Sequence, residues 1–156
     1  SPGGGVGAKG TRRGEQGAAM AFLIDTCILI DHLTDRLPPD ASAWLEHVVA
    51  SGLAATSVIV YHELLYGART EKARTAVEEL LKAWNVLSVD REVARRAAEI
   101  RRDQAAQGRT LGMADCLIAA TAELKGLKVA TSNVKDFPSV EVVFPGAPAA
   151  GTTRES

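Results

Sequence analysis

Five short apolar runs, separated by longer stretches with helical periodicity, constrain the fold of this chain more than any other feature. "AFLI" (21–24), "LAATS" (53–57), "WNVLSV" (84–89), "KVATS" (128–132) and "EVVF" (141–144) have the length and composition of strands. Helical patterns cover 27–34, 40–50, 58–68, 70–83, 90–106 and 112–125. Continuous apolar runs belong to strands covered on both faces, and strands joined through helices run parallel. The expected fold is therefore α/β, a three-layer α/β/α domain with a mostly parallel central sheet. Asp90 is placed to cap the helix that begins at Arg91, and Gly126 to end the one that begins near Gly112.

The ends of the chain lack this pattern. Residues 1–19, "SPGGGVGAKGTRRGEQGAA", are rich in glycine and charge, and Met20 followed by "AFLID" reads as a natural start behind a vector-derived or disordered leader. "PGAPAAGTTRES" has the composition of a flexible tail at 145–156, which leaves 20–144 as one folded domain. With 46% hydrophobic residues and a formal net charge of −1, the chain can bury a core, but any polyanion must be met by a local basic patch. Cys27 and Cys116 lie in apolar runs and read as reduced residues of a cytoplasmic protein. No run reaches the roughly 18 apolar residues of a membrane span.

The architecture directs attention to the carboxyl ends of the strands, where open parallel sheets bind their ligands. Asp25 follows "FLI" directly, and Asn133 and Asp136 follow "VATS". Glu63 lies about two turns into the helix leaving "LAATS", and Asp115 one turn into "LGMADCLIAATA", where an ionised carboxylate among apolar neighbours is costly to desolvate. Acids gathered at one sheet edge repel and raise one another's pKa values, and a divalent cation resolves the conflict. Oxygen donors without a histidine or cysteine motif point to Mg²⁺ or Mn²⁺ rather than zinc. His32, His47 and His62 lack metal-site spacing. His62 precedes Glu63, but adjacent helix residues point about 100° apart, so sequence adjacency alone does not bring its ring into the site. Each acid also has a purely structural role open to it, as a helix cap, a solvated helix residue or a partner of the helix dipole.

"LIDTCILID", "SVIVYHELLYGA", "GMADCLIAATA" and "VATSNVKDF", in this order and at these intervals, closely resemble the PIN-domain ribonucleases and, within them, the VapC toxins of bacterial toxin–antitoxin pairs. The resemblance covers nearly all of 20–144. It implies a PIN-like fold in which Asp25, Glu63 and Asp115 are the first three acids and the metal-site residues, with Asp25 and Asp115 the usual direct ligands. Asn133 stands where relatives often carry a fourth acid. Its carbonyl oxygen can ligate or orient a water, and Asp136 is the nearest substitute acid.

A carboxylate-held Mg²⁺ suits hydrolysis of an RNA phosphodiester, with Glu63 holding or helping to deprotonate the attacking water. The resemblance implies products with a 5′-phosphate and a 3′-hydroxyl, a tRNA or ribosomal RNA loop as substrate, a homodimer, and a VapB-like antitoxin whose disordered segment folds onto the toxin. Arg91, Arg95 and Arg102 fall within about 40° on one helix face, opposite Val93, Ala97 and Ile100, and Arg109 precedes the Asp115 helix; together they form the expected RNA-binding stripe. Few aromatic residues stand near the motifs, so base stacking is not expected to be extensive. "ASAWLEHVVA" and "RTAVEELLKAW" are the expected partner surfaces, on the strength of Trp44, Leu45, Val48 and Val49. Two rivals differ in class. A receiver-like or phosphatase-like doubly wound domain also puts Asp after the first strand, but such phosphatases resemble a D-x-D pattern, which "DTC" does not. A catalytically idle PIN-like binding module would be consistent with the neutral Asn133.

Overall fold

A computed structural model describes residues 21–139 and 142–143. The expected leader at 1–19 and tail at 145–156 lie outside the described residues. The elements in chain order are β1 (Phe22–Ile24), α1 (Thr26–Leu33), α2 (Pro39–Ala50), β2 (Ala54–Ser57), α3 (Val58–Gly67), α4 (Glu71–Leu81), β3 (Asn85–Leu87), α5 (Arg91–Ala106), α6 (Met113–Lys125), β4 (Lys128–Ala130), a 3-10 turn (Val134–Asp136) and β5 (Val142–Val143). The sheet order is β3-β2-β1-β4-β5, and every pairing is parallel.

This order makes β1 the pivot. The chain runs outwards from β1 through β2 to β3, then crosses back to lay β4 on the other side of β1. Strand order thus reverses between β1 and β4, the switch point at which a crevice opens beyond the carboxyl ends. Leu23, Ile24, Val129 and Ala130 on these two strands are fully buried, so adjacent residues facing opposite sides of the sheet are both covered.

Local chemistry sets the element boundaries. Ser57, Thr70 and Asp90 accept hydrogen bonds from the first-turn amides of α3, α4 and α5. Pro39 opens α2 at a position where a missing N–H is harmless. Gly126 ends α6 at φ 69°, a left-handed conformation that favours glycine. Both cysteines are free thiols. No helix among the described residues is long and apolar enough to cross a membrane.

The expected partner surface on α2 needs correction. Leu45 and Val48 belong to the core, and the Trp44 ring meets Phe22 edge-on at 5.1 Å, leaving only Val49 exposed among the four. The apolar stripe of α2 is spent on the core. On α4, by contrast, Ala73, Ala76 and Val77 border a groove of about 220 Å³ shared with Ile30, Leu33 and Leu64.

Candidate active site

Asp25 stands where β1 gives way to α1, and its position satisfies two demands at once. Its Oδ1 accepts the Thr26 N–H at 2.8 Å, capping α1, while its Oδ2 accepts the Thr131 hydroxyl at 2.8 Å from the end of β4. The Cys27 thiol lies 3.7 Å from the same Oδ2. Burial nevertheless raises the Asp25 pKa against these three donors, with the Glu63 charge adding to the rise.

Thr131 is fully buried and bridges two segments, because its oxygen also accepts the Asn133 N–H at 2.9 Å. Ser132 donates to the Cys27 sulfur through its hydroxyl at 3.1 Å and its amide at 3.4 Å. The segment after β4 is thereby pinned over the start of α1. Glu63 arrives from α3, and the Thr26 hydroxyl donates to its Oε1 at 2.5 Å. Thr26 thus ties the Asp25 and Glu63 carboxylates together, one through its backbone and one through its side chain.

Asp115 lies in the first turn of α6, where the helix dipole favours a negative charge. Its pKa is nonetheless pushed up to about 6, first by burial and then by the charges of Asp136, Asp25 and Glu63. Asp25, Glu63, Asp115, Asn133 and Asp136 all line one cleft of about 740 Å³, together with Thr26, Cys27, Ile30, His62, Tyr66 and Met113. Among the described residues the ion pairs lie elsewhere, on Arg74, Lys82 and Arg96, and none neutralises these acids.

Four carboxylates and one amide, all hard oxygen donors, share a cleft with an unbalanced negative charge. By donor type and charge, they fit Mg²⁺ or Mn²⁺. No three His, Cys, Asp or Glu side chains among the described residues already converge as a closed metal cage.

The expected basic residues lie outside this cleft. Arg91, Arg95 and Arg102 are exposed on α5, opposite buried Val93, Ala97 and Ile100. They do not line the acidic cleft; Arg102 instead borders an adjoining apolar groove with Arg101, and Met113 and Leu117 line both depressions. Arg109 donates to the side-chain oxygens of Gln104 at 2.8 Å and Gln107 at 2.9 Å, at the end of α5.

Thr26, Thr131 and Tyr66 are site features that motif spacing and charge alone do not single out. The hydroxyls of "DT" and "VATS", interrupting apolar runs at strand ends, are the signal that could have found the first two. His62 also lines the cleft, because a wall built from Ile59, His62, Glu63 and Tyr66 takes in about 100° of the α3 surface. The angular separation of adjacent helix residues does not exclude them from a wall that wide.

The PIN-domain family profile matches residues 22–143. The chain belongs to the PIN-domain family. Ribonuclease VapC10 of Mycobacterium tuberculosis (strain ATCC 25618 / H37Rv) is 37% identical to this PIN domain over 124 residues, spanning 80% of this chain and 91% of its own. The tRNA(fMet)-specific endonuclease VapC of Shigella flexneri is 30% identical over 125 residues, 78% of this chain and 92% of its own. Among solved structures, DNA-bound VapBC from Salmonella typhimurium superposes with a TM-score of 0.66 at 25% identity, covering 80% of this chain and 97% of that chain. These likenesses place this PIN domain with the VapC ribonucleases and favour a nuclease over an idle binding module.

Proposed function

We propose that this PIN domain is a Mg²⁺- or Mn²⁺-dependent endoribonuclease acting as the toxin of a toxin–antitoxin pair. The observation that carries the reading is the meeting of Asp25, Glu63, Asp115 and Asp136 in one cleft at the β1–β4 switch point, with Asp115 pushed up to about 6. Asp25 and Asp115 would hold the ion directly, with Glu63 beside them and the Asn133 carbonyl or Asp136 completing the site. When bound, such an ion neutralises charge on a phosphate oxygen and acidifies a coordinated water.

The chain's own residues supply positioning and proton transfer. Thr131, Thr26 and Cys27 fix the Asp25 carboxylate against rotation. Thr26 engages Glu63 Oε1, which leaves Oε2 to take a proton from the attacking water. In-line attack on phosphorus then breaks the bond to the 3′-oxygen, which takes up a proton from solvent, giving a 5′-phosphate and a 3′-hydroxyl.

The substrate reading is a structured RNA loop of tRNA or ribosomal RNA; one relative's name specifies tRNA(fMet). The partner reading is a VapB-like antitoxin, supported by the VapBC complex among the structural relatives, with a homodimer as the toxin's own assembly and the cytoplasm as its compartment. The domain reading keeps 20–144 as the nuclease unit. Mapping 5′-phosphate RNA ends after brief induction in cells tests substrate and chemistry together. Ends concentrated in one RNA loop support the reading; an end profile unchanged by induction counts against it.

Arg91, Arg95 and Arg102 are proposed to track RNA backbone outside the cleft. Replacing all three by Ala is expected to weaken RNA binding and reduce the slope of log affinity against log salt by roughly 2, at about 0.7 for each single-strand phosphate that an arginine neutralises. Metal affinity should hold. Binding titrations across a salt series check this, and an unchanged slope assigns the stripe to solvation.

A further inference from the structure

An aromatic pair flanks the carboxylates, and neither core packing nor the chemistry described above uses it. His62 and Tyr66 sit one turn apart on α3, with Glu63 between them in sequence. Their rings are nearly parallel, at 18°, with centroids 6.2 Å apart. Both rings line the acidic cleft. Tyr66 is 84% exposed, so it contributes almost nothing to the core. Tyr61 on the same helix differs, since its hydroxyl donates to Glu78 at 2.8 Å, whereas the Tyr66 hydroxyl has no partner among the described residues. Ile30 and Met113, also on the cleft lining, are 43% and 62% exposed and add apolar surface to the rim.

We infer that His62 and Tyr66 form a stacking platform for one unpaired nucleobase adjacent to the scissile phosphate. The inference rests on the ribonuclease reading. Single-stranded RNA loops present splayed bases, and proteins hold such bases by stacking them on Tyr or His rings, an interaction that tolerates any base because each has a π-face. Two nearly parallel rings one helical turn apart present π-faces of similar orientation at the cleft wall. Their position beside Glu63 sets a base next to the phosphate on which that carboxylate would act. A polyanion entering an acidic cleft is repelled until a cation is present, so a stacking contact at the rim adds affinity without adding to that repulsion. The platform thereby favours a loop nucleotide over a paired one, whose base is already stacked in its helix.

Binding of a short fluorescein-labelled single-stranded RNA, in chelator, to the full chain tests this. Tyr66→Ala is expected to weaken binding roughly 5- to 150-fold, the range spanned by a single base–aromatic stack. Tyr66→Trp should restore binding, and the melting temperature should be unchanged in both variants because the side chain is exposed. A walk of single abasic sites along the same RNA supplies the specific readout. Wild type should lose affinity at one position of the walk, and Tyr66→Ala should lose that dependence.

Wild-type protein that neither binds RNA in chelator nor cleaves it once Mn²⁺ is supplied would overturn both the nuclease reading and the platform. RNA binding equal in wild type and Tyr66→Ala would overturn the platform alone. So would a change in oligomeric state or antitoxin affinity with RNA affinity unaltered, which would make this surface a protein contact.

Discussion

Asp115→Asn is expected to lower RNA cleavage by at least about 100-fold, the upper range seen when mere supporting partners of metal ligands are removed. The same change should leave the metal-free fold as stable as before or more so. The reason is electrostatic: Asp115 is pushed up to about 6 by burial and by Asp136, Asp25 and Glu63, so its ionised form is disfavoured in the folded chain. A carboxyl whose pKa is higher folded than unfolded favours the fold at low pH. That contribution is complete below 3.8, the ordinary value, and is lost as pH rises through about 6. In chelator, wild type should therefore lose melting temperature relative to Asp115→Asn across that interval. Added Mn²⁺ should raise the melting temperature of wild type above pH 6 and do far less for the variant, since stabilisation by a ligand follows its concentration relative to Kd. If Asp115 serves only the helix start, the substitution should instead cost about 1 kcal/mol without metal and spare cleavage. Melting curves with chelator and with Mn²⁺, beside a cleavage assay, separate the two.

Expression without an antitoxin is expected to arrest growth through loss of translation, an effect of orders of magnitude in colony counts. Asp25→Asn and Asp115→Asn should accumulate to similar levels without arrest, and coexpression of the cognate antitoxin should restore growth to the wild-type culture. Pulse labelling of new protein, set beside colony counts, measures both effects. Continued growth with well-folded wild-type protein at full level would remove the toxin reading while leaving a nuclease of another role.

The sequence was legible wherever one local rule governs. Continuous apolar runs became parallel strands, and the Asp90 and Gly126 helix ends agree with the structure because capping is decided within a single turn. Boundaries shifted where a tertiary bond intervened. Thr131 and Ser132, expected at the end of a strand, leave the ladder because the Thr131 hydroxyl turns to Asp25 and Ser132 engages Cys27. At the edge of the sheet, β3 spans Asn85–Leu87 rather than the longer run expected.

Surface roles were the least legible. Helical periodicity identifies the apolar stripe of α2 but not whether the fold covers it, and Leu45 and Val48 are buried in the core. Arg109 was readable as a cation, yet its bonds to Gln104 and Gln107 depend on the turn between α5 and α6. The acids fared differently because their signal is positional. Parallel topology brings β1 and β4 ends together whatever the intervening sequence, so Asp25, Asn133 and Asp136 had to approach one another once the strands paired. The distance of Glu63 and Asp115 from the starts of α3 and α6 then sets where each meets the cleft.

The most direct test of the central claim is cleavage of RNA by the purified protein over a titration of Mg²⁺ or Mn²⁺, with chelator and re-addition, and with the product ends identified. The account predicts cleavage that chelator abolishes and metal restores, leaving 5′-phosphate and 3′-hydroxyl ends. Cleavage that persists undiminished in chelator, or that leaves 2′,3′-cyclic phosphates, would contradict it.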